Sequence, residues 1–371
     1  MTTSEPRSRE LVDITDDPRH AAATVPPLSL PVRARVRWAL QVAQLAPSIH
    51  NTQPWRWHVD APPDDGSTVE LRVDLARHLP ALDPDGRQQE ISCGCALGAL
   101  LIGASAAGLA VDTELVPPNR PGVLARVRMS DCGVSSPAAL ERLSALRTRR
   151  SARGWFSDEV VPPTLLAELA RFAALHGVTA RRVGLDDSER DALEHLTALA
   201  TLHEYEDERI PVEVQAWTRE AGDARRDGVP SFAWERTGPQ TAGGALILRD
   251  FAGEHVVPGR VDAPESEPYP ELLLLSTPDD GRVAHLHTGL ALLDVLLVAE
   301  RAGFAVGHVN QVVEDRATRL RLAHELDVPG APQLLLRIGR PQGGPQALAP
   351  RRPVSAVLDP SAPQRRRRPD R

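Results

Sequence analysis

The sequence contains no lysine. All 43 of its basic residues are arginine, set against 50 acidic residues for a net charge of −7. A chain of that balance has no global basic field of the kind nucleic acid selects, so no nucleic-acid partner is expected. Any site for an anion must be built from guanidinium groups or backbone N–H, never from an ammonium. Cysteine is scarce as well. Cys93, Cys95 and Cys132 form an odd set without a framework, which argues against a disulfide-built secreted fold. The opening stretch MTTSEPRSRELVDITDDPRH has no apolar segment, so no signal peptide is expected. Residues 91–111 carry no charge and have the length of a membrane span. They are built from Gly, Ala, Ser and Cys as much as from Leu, and no second such run is evident. A buried, close-packed helix in a cytoplasmic protein without a membrane partner is the expectation.

Several site signatures are missing too. No G-x-G-x-x-G follows a strand pattern, and there is no P-loop, H-E-x-x-H or paired C-x-x-C. Cys93 and Cys95 lie inside an apolar helical pattern, where small buried thiols are expected rather than a metal site. His285 and His287 are two apart on a helix and cannot share a face. No metal is expected.

At 371 residues the chain is too long for one small core, so two domains or two fused halves are expected. Helical periodicity over 32–45 is stopped by Pro47, which drives its predecessor out of the α region. WRWHVD and TVELRVDL read as alternating strands around the turn APPDDGS. An apolar helix over 91–109 follows, then strands near 111–116 and 123–129. A second cycle opens at Ala138 with a helix over 138–147, the segment RTRRSARGWFSDEVVPP, and a helix over 163–176 with Pro at its start. VTARRVGL reads as a strand, 187–205 as a helix, and 206–262 as irregular. ELLLLSTP is a buried strand, 285–303 an amphipathic helix closed by Gly303, 314–325 a helix and QLLLRIGR a strand. Strands and helices alternate in both cycles, so the class is α/β or α+β. Residues 1–30 read as a polar tail or arm, and 359–371, ending in RRRRPDR, as a solvated basic tail.

Two constellations carry chemistry. In APSIHNTQPW, residues 46–55, two prolines bracket Ser48, Asn51 and Gln53. Their hydroxyl and amides match a planar heterocycle whose edge alternates carbonyl with N–H, or else satisfy the loop's own backbone. In RTRRSARG, residues 147–154, an extended chain puts Arg149, Ser151 and Arg153 on one face. That face suits a phosphate or an anionic ring edge, or is a solvated basic linker.

Together these motifs resemble those of the nitroreductase family of FMN-binding oxidoreductases. RRSARGWFSDEVVPPTLLAEL is similar to its R-R-S-x-R-x-[FW] opening with a Val-Pro helix start, APSIHNTQPW to its A-P-S-x-x-N-x-Q-P-W loop, and the region from TGLALLDVLL to APQLLLRIGRP to its closing helix and strand. The likeness covers most of residues 32–355. The order is inverted, however: here the loop comes about a hundred residues before the Arg-Ser-Arg segment. Each half keeps one motif and lacks the other, as a fused dimer would, and the arrangement resembles the Acg-type branch of the family.

The resemblance implies an α+β fold of two nitroreductase-like lobes, residues 31–137 and 138–358, packed as an intramolecular pseudo-dimer and so a monomer. It implies one FMN per chain, with helix 91–109 facing helix 285–303. Arg149, Ser151 and Arg153, with Arg150 beside them, would hold the phosphate and ribityl end. APRRPV supplies Arg351 or Arg352 there, with Arg352 carried forward. Pro47, Ser48 and Asn51 would border the isoalloxazine, Gln53 and Trp55 would anchor the loop, and Arg87 in DPDGR would lie near the site. The implied activity is two-electron reduction of a nitro, quinone or other electron-poor small organic by NAD(P)H, with no catalytic protein side chain. The alternative is a protein that stores or sequesters FMN under a closed lid, residues 210–238, with Trp217 and Trp234 stacked on the ring.

Overall fold

Period-two alternation builds the first lobe. The computed structural model describes residues 17–60, 66–154, 156–231, 241–242, 246–247, 271–342 and 347–359. After a short helix α1 (Pro18–Ala21) and α2 (Val32–Ala43), strands β1 (Trp55–Asp60) and β2 (Gly66–Val73) pair antiparallel. Helix α3 (Arg87–Ala106) leads to β3 (Leu109–Leu115) and β4 (Val123–Asp131), which complete a sheet of order β1-β2-β4-β3. Val69 and Leu71 on β2 and Ala125, Val127 and Met129 on β4 turn into the core, while Arg128 faces solvent. Asp83 caps α3, its carboxylate accepting the N–H of Gln88 at 3.0 Å and of Gln89 at 2.8 Å.

The second lobe runs through α4 (Pro137–Thr148), α5 (Pro163–Ala174), β5 (Thr179–Val183), α6 (Asp187–Glu206) and α7 (Arg209–Ala216). Two minor pairs follow, β6 (Thr218–Arg219) with β7 (Val229–Pro230) and β8 (Thr241–Ala242) with β9 (Leu246–Ile247). Then come β10 (Glu271–Thr277), α8 (Arg282–Arg301), β11 (Ala305–His308), α9 (Gln311–Glu314), α10 (Arg316–Glu325) and β12 (Ala331–Gly339). The second sheet has the order β11-β12-β10-β5, all antiparallel. Its β10 reads LLLL because both faces are covered. Leu273 and Leu275 join the main core, while Leu272 and Leu274 pack with Val309, Val312 and Leu322.

α3 and α8 are both long and apolar enough to cross a membrane by length and composition, so the run at 91–111 has a counterpart that its sequence reading missed. In the fold each helix buries the other. α3 also reaches into the second lobe through Arg87, whose Nη1 donates to the Gln333 carbonyl at 2.6 Å and whose Nη2 donates to the Val313 carbonyl at 2.6 Å.

Three boundaries differ from expectation. From residue 17 the expected N-terminal tail is folded: Ala22 is buried, and Trp38 Nε1 donates to the Ala21 carbonyl at 2.9 Å. Residues 1–16 lie outside the described residues, as do 360–371 of the basic tail. The end of the second lobe crosses back to the first. Trp57 N–H donates to the Val357 carbonyl at 2.8 Å, and Asp359 N–H to the Trp57 carbonyl at 2.8 Å, satisfying the free edge of β1. The stretch read as irregular contains α7, which is fixed when Glu213 accepts the N–H of Leu82 at 2.9 Å.

Candidate functional site

Five separated pieces of chain converge on one cleft with about 580 Å³ of space between atoms, part of it continuous with solvent. Pro47, Ser48 and Asn51 come from the loop after α2, and Arg149, Arg150, Ser151 and Arg153 from the segment after α4. Arg19 comes from α1, Val229 and Pro230 from β7, and Ala347, Ala349 and Arg351 from the returning C-terminal segment. The two motifs, a hundred residues apart in the chain, therefore face one space, one from each lobe.

Local chemistry shapes both walls. Ser48 Oγ accepts the Gln53 N–H at 2.9 Å, and Ile49 N–H donates to Ser92 Oγ on α3 at 3.1 Å. His50, Asn51 and Gln53 have φ of 44°, 53° and 50°, a region that costs non-glycine residues about 1–3 kcal/mol each and that a well-bonded surround must hold. Gln53 and Trp55 anchor the loop: Gln53 Nε2 donates to the Arg226 carbonyl at 2.8 Å, and Trp55 Nε1 to Gln44 Oε1 at 2.9 Å. On the other wall, the chain leaves α4 at Arg149 and runs beside β11, with Ser151 bridged to Val306 and Ala152 N–H donating to the Val306 carbonyl at 2.9 Å. Arg150 also lines the cleft, beyond the one-face set expected of an extended strand.

The site is cationic and its charges are underused. Arg149 and Arg351 are 5% and 7% exposed. The Nε and Nη1 of Arg149, the Nε of Arg351 and the Nε of Arg19 are buried without a hydrogen-bond partner among the described residues. No Asp or Glu is among the described residues that line the cleft. Burial lowers the Arg149 guanidinium to about 10, opposed by Cys95 and reinforced by Arg19. Burial, then the charges of Arg149 and Arg19, pushes Arg351 well below the ordinary guanidinium value. Arginine keeps its proton in proteins, so this downward push is a charge in want of a counter-anion. Desolvation and then the repulsion of Arg153, Arg149 and Arg337 hold the half-buried His308 down to about 4, a neutral base beside the cluster.

Arg351, not Arg352, enters the cleft. Arg352 turns to the Gln53 carbonyl at 3.2 Å and the Ala356 carbonyl at 2.8 Å. Arg19 was missed by sequence reasoning; its one local mark is the Asp17-Pro18 start of α1, where the Asp17 carboxylate accepts the Arg19 N–H at 2.9 Å. Arg87 lies elsewhere, in the bridge between the lobes. The segment 226–230 closes one side of the cleft and is tied down by Asp227, which accepts from Arg77 at 2.9 Å and from Arg219 at 2.9 Å. Trp217 does not line the cleft; the Arg77 and Arg219 guanidiniums each lie 5.4 Å from its ring centroid. Residues 232–238, with Trp234, lie outside the described residues.

No family model matches the chain. A Mycobacterium tuberculosis protein provisionally named NAD(P)H nitroreductase acg is 31% identical over 330 residues, 87% of this chain and 95% of that one. A second protein of that organism, also provisionally named an NAD(P)H nitroreductase, is 31% identical over 334 residues, 87% of this chain and 91% of its own length. Among solved structures, the NADPH:FMN oxidoreductase from Vibrio harveyi complexed with NAD+ is 13% identical, covering 60% of this chain and 78% of that one at a TM-score of 0.35.

Proposed function

The chain belongs to the nitroreductase family, and we propose that it holds one FMN between its two lobes and reduces an electron-poor small organic, such as a nitro compound or quinone, with NAD(P)H. The observation that carries this reading is the set of buried guanidinium N–H groups on Arg149, Arg351 and Arg19 that have no partner among the described residues. A phosphate monoester fits them: it is a dianion with acceptor oxygens, and bonds to charged donors are worth about 1.5–3 kcal/mol each. Arg149, Arg150, Ser151, Arg153 and Arg351 would hold the phosphate end, with Pro47 and Ser48 bounding the opposite wall. When bound, FMN supplies the two-electron chemistry, and no protein nucleophile or metal is called for. The chain's own part is to bind, orient and exclude water. Two lobes that each bring a long apolar helix to the shared interface support reading the chain as a fused pseudo-dimer with a single complete site.

The test is direct. The purified protein is expected to be yellow, to carry one FMN, and to bleach under NADH or NADPH without oxygen. Arg149→Ala combined with Arg351→Ala is expected to release the flavin. Full flavin occupancy in that variant would overturn the site, and no bleaching with either nicotinamide would overturn the reductase.

A second reading, FMN storage, is favoured by the way Asn51, Gln53, Arg77 and Arg219 all fasten the 226–230 wall. Replacing residues 210–238 by a short Gly/Ser linker separates the two. Brisk NAD(P)H oxidation by the intact chain removes storage, and turnover only after replacement removes the simple reductase.

A further inference from the structure

The Asn51 amide is already spent inside the protein. Its Nδ2 donates to the carbonyls of Gly228 at 3.0 Å and Pro350 at 3.1 Å, and its Oδ1 accepts from Arg351 Nη1 at 2.8 Å. An amide has two donor hydrogens and an oxygen with two acceptor positions, so both donors are engaged and the oxygen gives one of its positions to the arginine. The backbone takes part as well, since Gly228 N–H donates to the Asn51 carbonyl at 3.2 Å. Arg351 for its part finds three acceptors among the described residues: the carbonyls of Ala349 and Pro350, and Asn51 Oδ1, the single side-chain acceptor of the three. Its Nε has no partner among the described residues.

We infer that Asn51 is a positioning residue: it aims the Arg351 guanidinium at the cofactor phosphate and in the same grip pins the Gly228 wall, and it does not read the flavin ring. This rests on the reading of the arginine cluster as a phosphate site. An amide oxygen is suited to the task because it orients the guanidinium without cancelling its charge. A carboxylate in that place would neutralise Arg351 and repel the incoming dianion. Gln53 provides an internal control. It clips the same two segments, through the Arg226 carbonyl and the Arg352 N–H at 2.8 Å each, yet has no bond to the Arg351 side chain.

The experiment compares FMN with riboflavin, which has the same ring and no phosphate, by equilibrium binding to the full-length apoprotein. The wild type is expected to prefer FMN. Asn51→Ala is expected to weaken FMN roughly tenfold or more beyond whatever loss it shares with riboflavin, the shared loss reporting the loosened Gly228 wall and the excess the worth of a lost charge-assisted bond. Arg351→Ala should show the same selective loss, and the double variant should lose no more of the preference for FMN over riboflavin than Arg351→Ala alone. Gln53→Ala should shift both flavins alike. If Asn51→Ala binds neither flavin, Asn51→Ser carries the comparison. Equal losses for the two flavins in the Asn51 variant, or a phosphate-selective loss in Gln53→Ala, would overturn the positioning role. A wild type that binds FMN no better than riboflavin would instead remove the phosphate site on which the role depends.

Discussion

Gly94 on α3 and Gly289 on α8 meet backbone to backbone: a Cβ on Gly289 would stand 2.7 Å from the Gly94 Cα and 2.1 Å from the Ile91 carbonyl oxygen. No side chain fits between the helices at this crossing, and the Cys95 thiol next to it donates to the Gly289 carbonyl at 3.2 Å. The lobes are joined here with no cushion. Gly289→Ala is therefore expected to cost at least about 1–3 kcal/mol through overpacking. Gly66→Ala, whose nearest neighbour would be 3.7 Å away, is expected to be near neutral. Urea denaturation of both variants checks the contrast, and equal stabilities would contradict the close crossing.

Asp227 is 7% exposed and accepts from both Arg77 and Arg219, the latter 5% exposed. Removing one partner of a buried pair leaves uncompensated charge, at about 3–5 kcal/mol. Asp227→Ala is expected to release the 217–230 segment locally, so that protease cuts there and bound flavin dissociates faster. Mass spectrometry of limited digests, with stopped-flow flavin release, measures both. An unchanged digest would show that the segment is held by something else.

Burial raises the Asp83 carboxyl to about 6, although the Gln88 and Gln89 N–H groups pull it down. Because the folded protein holds this proton more tightly than the unfolded chain, Asp83 favours folding below about pH 4. That contribution is lost as pH rises to about 6, by up to about 3 kcal/mol. Asp83→Asn cannot ionise, so the stability difference between variant and wild type should move in the variant's favour across that window. Chemical denaturation at pH 4.5 and 6.5 is the measurement, and a difference that stays constant would refute the shift.

Arg87 is expected to matter for docking of the lobes and not for the cofactor. Its guanidinium also bonds the Gln333 side chain at 3.0 Å, so Arg87→Met strands several buried acceptors, each worth about 1–3 kcal/mol. Thermal unfolding should fall by several degrees while the FMN dissociation constant of the folded variant is retained. A large loss of flavin affinity in a stable variant would return Arg87 to the site.

Much of the fold was legible because its cues are local. TVELRV alternates since one face of its sheet meets the apolar core and the other carries charged pairs such as Glu70 with Arg72 and Arg120, and ELLLLST does not alternate since its sheet is covered on both. Pro47 stops α2, and Gly303 closes α8 with a φ of 77°. That APSIHNTQPW and RRSARG face one cleft was legible through their resemblance to two nitroreductase-family motifs, of which each half of the chain keeps one and lacks the other.

Other features had no local period to show them. The choice of Arg351 over its neighbour Arg352 depends on the path of the chain after Pro350 and on where the Asn51 amide and the Gln53 and Ala356 carbonyls happen to stand. Arg19 joins the cluster from a stretch that reads as a polar arm because α1 docks on Trp38. The Asn51 amide, suited by type to a ring edge, is consumed by Gly228, Pro350 and Arg351, residues 177 to 300 positions away. Residue type sets which hydrogen bonds a side chain can make. Which of them it does make is decided by partners that only the packed lobes bring within hydrogen-bond reach.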